Sequence, residues 1–272
     1  MDGLDLLLGA ARQAPSPGDR RPWRFRTRHG ALELLTAAHP GGPGELVGHT
    51  VDRQDLIACG AALFNLRLAA GHLGLELYVT MLPEPADPAL LVRVTPVGLQ
   101  EPRQDEEELL AAIARRHTRR DPFIRTYVPP GLLDHLAAAA AAEGTTLIFV
   151  PPGDRLAVLD EQMKAAQAHT RNDPAAGAGL RAPWPSDHGD AGLETGQMEV
   201  LATAGDTPAD WLRAGQGLQR LLLTATTGWV AARFFTLVLE DSALRERVRL
   251  DVCGGAHPQA ILEFGDASAT AS

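Results

Sequence analysis

The sequence predicts an α+β protein built from two similar halves. Two long helical patterns, from Asp52 to about His72 and from Pro208 to about Thr227, both carry glycine in their interior. Alternating apolar and polar segments near each helix predict β-strands. An arginine-rich segment that closes on proline and an aromatic residue precedes each helix, and this shared order indicates a weak internal repeat. We therefore predict one half at residues 1–104 and the other at residues 105–272.

The first half predicts a helix, a β-hairpin, the first long helix and two more strands. In chain order the predicted ranges are Asp5–Arg12, Trp23–Arg28, Ala31–Ala37, Asp52–His72, Glu76–Leu82 and Leu90–Val97. Pro15 and Pro17 end the first helix, because proline lacks the amide hydrogen that a helix interior needs. Asp52 can cap the long helix at its start, and Gly74 can end it in a left-handed conformation. Residues 39–48, rich in glycine and proline, predict a flexible connection.

The second half begins with a predicted helix over Asp105–Arg116, whose acidic residues come early and whose arginines come late, the order that the helix dipole favours. Thr207-Pro208-Ala209-Asp210 combines a capping hydroxyl, a proline and an acid, and it predicts the start of the second long helix. Residues 171–197 lack periodicity and predict an irregular lid. The other predicted elements are a helix containing Ala137–Ala142, a strand at Thr145–Val150, a helix at Leu156–Thr170, and strands at Glu199–Ala204, Phe234–Leu239 and Ala260–Phe264.

The composition excludes several classes of protein. The chain has 272 residues with 45% hydrophobic content and a net charge of −9, which argues against a general affinity for nucleic acid or anionic lipid. Its apolar runs are shorter than the ~20 residues of a membrane helix, and the N-terminus lacks the basic start of a signal peptide, so we expect a cytoplasmic protein. The two cysteines, Cys59 and Cys253, indicate neither a disulfide framework nor a thiolate metal site.

Residues Arg115–Phe123 place four arginines within six positions of this acidic chain. Guanidinium groups bind phosphate through two oxygens at once, and each charge-assisted bond contributes about 1.5–3 kcal/mol. The segment is therefore a candidate site for a phosphorylated ligand. A solvated basic turn is the competing interpretation, because runs of charge often simply face water.

Other catalytic patterns are missing from the sequence. It contains no Gly-x-Ser-x-Gly elbow and no His-Glu-x-x-His, and its nine histidines lack metal-ligand spacing. Gly215-Gln216-Gly217 lies inside a predicted helix rather than after a strand, so a dinucleotide-binding fingerprint is unsupported. Trp184, Trp211 and Trp229 are expected in the core rather than against a cofactor.

Several segments occur in a specific order: Pro15-Ser16, Pro22-Trp23-Arg24-Phe25, Cys59–Leu66, Arg116-His117-Thr118-Arg119-Arg120 with Pro122-Phe123, Leu201–Gln216 and Pro258-Gln259. Together they resemble the nitroreductase-type FMN flavoproteins, and most of all their Acg-like subfamily. The resemblance implies a nitroreductase-like α+β fold with two pseudo-repeated halves, central helices and antiparallel sheets. It also implies FMN in the crevice between the halves. One chain that supplies both halves would permit a monomer, and a homodimer stays open.

The resemblance implies cofactor contacts from both halves, by Pro15, Ser16, Arg116, His117, Thr118, Arg120 and Gly228. The two arginines would approach the phosphate and the pyrimidine edge, with His117 and Thr118 adding contacts. The Pro15-Ser16 turn would face the ring from the other half, and Gly228 would let backbone approach the isoalloxazine. No protein acid, base or metal is implied. The expected activity is hydride transfer from NAD(P)H to a small unsaturated, nitro or quinone-like acceptor.

Some positions depart from the family pattern and favour an alternative function. Gly18, Asp19 and Arg21 stand where the family usually shows His-Asn and Gln, and Asp121 replaces a frequent arginine. Glu263 stands where relatives commonly carry an arginine, and a carboxylate there would repel a phosphate. The alternative is a degenerate homologue that sequesters FMN, or has lost it, and acts as a non-catalytic accessory protein.

Overall fold

The computed structural model describes residues 3–37, 52–119, 123, 128–172, 198–235 and 237–266. The predicted connection at 39–48, Arg120–Pro122 and the predicted lid beyond Asn172 lie outside these residues. The described helices are α1 Gly3–Ala11, α2 Arg53–His72, α3 Gln104–Ala112, α4 Pro130–Ala142, α5 Asp154–Asn172, α6 Pro208–Thr227, α7 Leu237–Glu240 and α8 Ser242–Arg247. The described strands are β1 Trp23–Arg28, β2 Ala31–Thr36, β3 Leu75–Met81, β4 Leu90–Leu99, β5 Thr146–Val150, β6 Met198–Thr203, β7 Val230–Phe234 and β8 His257–Asp266.

The described strands form two antiparallel sheets with the same internal order. The first sheet runs β1-β2-β4-β3 and the second runs β5-β6-β8-β7. In each sheet the long helix leaves after the second strand and leads to the third, as α2 does between β2 and β3 and α6 between β6 and β7. The predicted α+β class with central helices and antiparallel sheets is confirmed. The division at residues 104 and 105 stays a prediction.

The two central helices touch through their backbones at a pair of glycines. A Cβ atom added at Gly60 would overlap the carbonyl oxygen of Leu212, and one added at Gly215 would overlap that of Ile57. The interior glycines of both helical patterns therefore permit this close approach. Farther along both helices, Gln219 donates from Nε2 to Oδ1 of Asn65 at 2.8 Å, so the contacts advance in the same direction on α2 and α6.

The sheets pack on the central helices, and the second sheet is covered on both faces. Leu34 and Val92 of the first sheet pack with α2, whereas Leu201 and Phe234 of the second pack with α4 and α6. The opposite face of the second sheet packs on α5, α7 and α8. Every residue of β6 is consequently buried.

On its outer face the first sheet carries a cross-strand ion cluster. Glu33 of β2 lies opposite Arg26 of β1 and Arg93 of β4. Arg26 donates from Nε to one carboxylate oxygen at 2.6 Å, and Arg93 donates from Nε to the other at 2.9 Å. These two side chains leave Glu33 only 1% exposed.

A buried arginine at the start of α2 joins the first central helix to the second sheet. Arg53 donates from Nη1 to the backbone oxygen and to Oε1 of Gln259, both at 3.1 Å. Its Nη2 donates to the backbone oxygen of Leu239 and to Oε1 of Glu240, both at 3.3 Å. Gln259 in turn donates from Nε2 to Thr203 Oγ1 at 2.9 Å. The Pro258-Gln259 segment therefore forms part of a hydrogen-bonded connection to α2.

Most predicted elements are confirmed, and three differ. The strand predicted at Phe234–Leu239 is wrong, because the strand is Val230–Phe234 and Leu237–Glu240 is helical. The helix predicted to run to Arg116 ends at Ala112, so its arginines lie beyond the helix. The helix at Asp154–Asn172 extends into the range predicted as a lid. The caps were predicted correctly: Asp52 Oδ1 accepts from the amide of Gln54 at 2.9 Å.

Candidate functional site: the arginine turn after α3

The candidate site is the turn that follows α3 and runs beside the edge strand β7. The amides of Arg115 and Arg116 both donate to the carbonyl oxygen of Ala112, at 3.0 and 2.9 Å. Thr118 forms an isolated parallel bridge with Ala232 of β7, and the Arg119 amide donates to the Ala232 oxygen at 3.0 Å. The helix end and the strand edge therefore hold the turn at both of its ends.

Arg116 is the inward-facing member of the turn. Its Nη1 donates to Thr118 Oγ1 at 3.2 Å. Its Nε is buried and has no hydrogen-bond partner among the described residues. Burial lowers the pKa of this guanidinium. Buried polar groups are normally hydrogen-bonded, so this nitrogen calls for an acceptor other than the described residues.

Arg115 and His117 lie on the outside of the same turn. The Arg115 guanidinium lies 5.8 Å from the centre of the Trp229 ring, a cation–π distance. His117 is exposed, and its Nδ1 lies 3.2 Å from the Arg115 carbonyl oxygen. Trp229 is 70% exposed, so the expectation that it belongs to the core is wrong. Predicted site residue Arg120 lies outside the described residues.

The Pro15-Ser16 turn is buried beside the start of α2. Ser16 Oγ accepts from the Arg21 amide at 3.1 Å. Arg20 donates from Nε to the Pro17 oxygen at 3.1 Å, and its Nη2 lies 3.9 Å from Oδ1 of Asp55 on α2. These bonds hold the turn within its own half of the chain. The preceding helix α1 and helix α3 do share one apolar cluster around Phe64.

The backbone after Ser16 is strained at the positions that depart from the family pattern. Gly18, Asp19 and Arg21 have φ angles of 57°, 54° and 51°. Glycine adopts the left-handed region freely and aspartate tolerates it, but Arg21 does so at a cost of about 1–2 kcal/mol. The meeting of this turn with the arginine turn around one ligand stays a prediction, because the described hydrogen bonds of Ser16 and Arg116 do not join the two segments.

Gly228 ends α6 beside the arginine turn. Its φ is −84°, so the position needs no left-handed freedom. A Cβ atom added there would come within 2.8 Å of Cδ2 of Leu132 on α4. A larger residue at this position would therefore need the Leu132 side chain to shift. Its predicted contact with an isoalloxazine ring stays a prediction.

Metal and thiol chemistry find no support in the described part of the chain. There, no cluster of three histidine, cysteine, aspartate or glutamate residues could hold a metal ion. Burial raises the pKa of Cys253 to about 12 and that of Cys59 well above its ordinary value, so both thiols stay protonated. Across the same residues, no helix has the length and apolar character that crossing a membrane requires.

Comparison with known proteins identifies the family. No family model matches the sequence. The Mycobacterium tuberculosis (strain H37Rv) protein named "Putative NAD(P)H nitroreductase Rv3131" is 32% identical over 306 residues, covering 95% of this chain and 83% of its own length. The chain belongs to the nitroreductase family. A second M. tuberculosis relative of this nitroreductase, "Uncharacterized protein Rv3127", is 26% identical over 295 residues and covers 93% of this chain and 83% of its own length.

Solved nitroreductases with bound FMN resemble parts of this chain. The Bacteroides fragilis structure is 16% identical with a TM-score of 0.45, covering 61% of this chain and 92% of its own. The Desulfitobacterium hafniense structure is 20% identical with a TM-score of 0.41, covering 60% and 91% respectively. Assignment to the Acg-like subfamily of the nitroreductases stays a prediction.

The unusual carboxylate Glu263 has a partner. Glu263 of β8 lies opposite Arg233 of β7, and Nη1 of Arg233 donates to its Oε2 at 3.5 Å. Both residues are buried, and burial raises the pKa of Glu263 although Arg233 acts to lower it. The charge expected to repel a phosphate is therefore paired with a guanidinium of the neighbouring strand.

Sequence reasoning missed two residues near the arginine turn. Arg233 follows Ala232, which bridges to Thr118, and its guanidinium lies 4.7 Å from the ring centre of Phe235. Trp229 faces solvent beside Arg115. Alignment of the ends of the two central helices could have drawn attention to Trp229, since it stands where the first helix has Gly74.

Proposed function

We propose that this nitroreductase-family chain is an FMN-dependent NAD(P)H oxidoreductase that acts on a small unsaturated, nitro or quinone-like acceptor. The observation that carries the proposal is the half-buried Arg116, whose buried Nε has no partner among the described residues. Family membership adds to it, since the M. tuberculosis relative carries NAD(P)H nitroreductase in its name.

The residues present fit an anionic, hydrogen-bond-accepting group such as FMN. Among the described residues, no carboxylate acts to raise the pKa of Arg116, which burial lowers. A buried cation without a counter-ion is costly, and a phosphate or an electron-rich ring edge would offset that cost. The unusual carboxylate Glu263 is paired with Arg233. The local charge therefore favours an anion.

The chain's own residues would bind and orient the cofactor. FMN would supply the ring that accepts and donates hydride. Arg116 would donate to the cofactor from Nε while Thr118 holds Nη1, which fixes the orientation of the guanidinium. A fixed positive charge also stabilises negative charge that develops on a nearby group during reduction. Arg120 from the same segment and Ser16 from the other half complete the proposed set, together with His117, Pro15 and Gly228.

The absorption spectrum of the purified protein tests this proposal directly. Yellow protein with flavin bands that bleach on addition of NADPH or NADH is the expected result. Yellow protein that does not bleach would favour the alternative, a homologue that sequesters FMN without catalysis. Colourless protein that takes up no added FMN in equilibrium dialysis would refute both functions.

A further inference from the structure

The two central helices end in the same way, but with different residues at the decisive position. Helix α2 is followed by Leu73 and then by Gly74, whose φ is +68°. Helix α6 is followed by Gly228, with a φ of −84°, and then by Trp229, with a φ of +60°. Trp229 thus occupies the left-handed position that glycine normally takes after a helix.

A bulky aromatic residue in this conformation is a true backbone outlier. Packing does not account for it, because the side chain is 70% exposed. Strain that the fold does not need points to a function for the residue that carries it.

Trp229 forms one side of an aromatic and cationic pair. The Arg115 guanidinium lies 5.8 Å from the centre of its ring. Arg115 directly precedes Arg116 in the same turn, so the pair lies at the outer rim of the proposed FMN site. An exposed indole offers a stacking surface for a flat aromatic base, and the neighbouring guanidinium suits a phosphate attached to it.

We propose that Trp229 and Arg115 bind the adenosine end of the reduced pyridine nucleotide. The adenine base stacks on the Trp229 indole, and Arg115 binds the adenosine phosphate. The inference rests on the proposed function, because it assigns this nucleotide as the hydride donor of the same site. Access to the rim from solvent lets the nucleotide enter and leave while Arg116 retains the cofactor.

Calorimetric titration of adenosine 2′,5′-bisphosphate into the full-length protein tests the proposal. This probe contains neither flavin nor nicotinamide, so its binding does not depend on FMN or on turnover. Wild-type protein is expected to bind it. The Trp229→Asn and Arg115→Gln variants are each expected to bind it roughly five- to 100-fold more weakly, since base stacking and charge-assisted bonds are of similar size.

The matched control is Tyr78→Ser, which removes another exposed aromatic ring, on the first sheet, and should leave binding unchanged. Trp229→Asn should also raise the midpoint of thermal unfolding, because asparagine tolerates the left-handed region. Wild-type protein that does not bind the probe, or variants that bind it as tightly as wild type does, would overturn the inference. Probe binding in a protein that takes up no FMN would refute the proposed function and leave the nucleotide site standing.

Discussion

Two arginines, Arg53 with its whole side chain buried and Arg116 with only part of it buried, have opposite surroundings. Arg53 at the start of α2 is 8% exposed and donates to four acceptors on Gln259, Leu239 and Glu240. Arg116 in the turn after α3 donates to Thr118, and its Nε has no partner among the described residues. Burial lowers the pKa of both guanidiniums, but only Arg53 has carboxylates, Glu240 first among them, that act to raise it again.

The difference separates an arginine that holds the fold from one that is available for a ligand. Folding must offset the cost of removing a cation from water, and at Arg53 the four hydrogen bonds do so within the protein. At Arg116 that cost is only partly offset by the described residues. A ligand with an acceptor oxygen would offset the rest of that cost. Loss of Arg53 should therefore lower the free energy of unfolding, whereas loss of Arg116 should lower the affinity for the ligand.

The largest expected effect is on the free energy of unfolding of Arg53→Met. The substitution leaves Glu240 and the carbonyl of Leu239 without their donor, so we expect a loss of about 3–5 kcal/mol, measured by urea denaturation. Arg103→Met is the matched control, because Arg103 pairs with Asp105 at the surface with its side chain 65% exposed. Its loss should stay within about 1 kcal/mol. Equal losses in the two variants would show that the Arg53 network does not hold the halves together.

The second effect is on cofactor retention in Arg116→Ala. Loss of one charge-assisted hydrogen bond should weaken FMN binding by about 1.5–3 kcal/mol, roughly ten- to 100-fold, as measured by equilibrium dialysis. The FMN-free variant should unfold at the same urea concentration as FMN-free wild type or at a higher one, since a poorly compensated buried cation has been removed. Arg28→Ala, at an exposed position of β1, is the control and should retain FMN. Destabilisation comparable to that of Arg53→Met would mean that Arg116 is structural.

The sequence predicted the architecture better than the surroundings of individual side chains. Both central helices, their caps and the β1–β2 hairpin follow from periodicity and from local signals such as Asp52 and Thr207. Glycines inside both helical patterns indicate a close approach at Gly60 and Gly215, although only the packing shows which atoms they contact. Short helices such as Leu237–Glu240 lack enough residues to display a period, which explains the strand wrongly predicted there.

The candidate site was predicted only as a segment. Four arginines in six positions marked residues 115–120, but the spacing cannot say which guanidinium is buried. That depends on where α3 ends and on the bridge between Thr118 and Ala232, a contact between residues far apart in the chain. Glu263 and Arg233 are also distant in the chain, so the sequence does not show that they pair. For this reason the sequence predicted a carboxylate that repels phosphate, whereas the fold pairs Glu263 with Arg233.

The smallest expected effect extends the comparison to carboxylates and depends on pH. Burial acts to raise the pKa of Glu33, but the bonds from Arg26 and Arg93 outweigh it and the pKa is lowered. A depressed pKa in the folded state means that the ionised cluster stabilises the protein above the ordinary glutamate pKa, and that this contribution is lost as pH falls through the lower folded value. Glu33→Gln should therefore reduce the free energy of unfolding by about 1–2 kcal/mol at pH 7.

The difference between Glu33→Gln and wild type should shrink as urea denaturation is repeated below pH 4. For Glu263→Gln, the difference in stability from wild type should change with pH in the opposite direction, because burial raises the pKa of Glu263. Its ionised form is disfavoured by folding, so stability attributable to this group declines as pH rises from the ordinary glutamate pKa through the raised value. A parallel pH dependence in the two variants would contradict the assignment of Glu33 as a stabilising ion and of Glu263 as a carboxylate that burial destabilises.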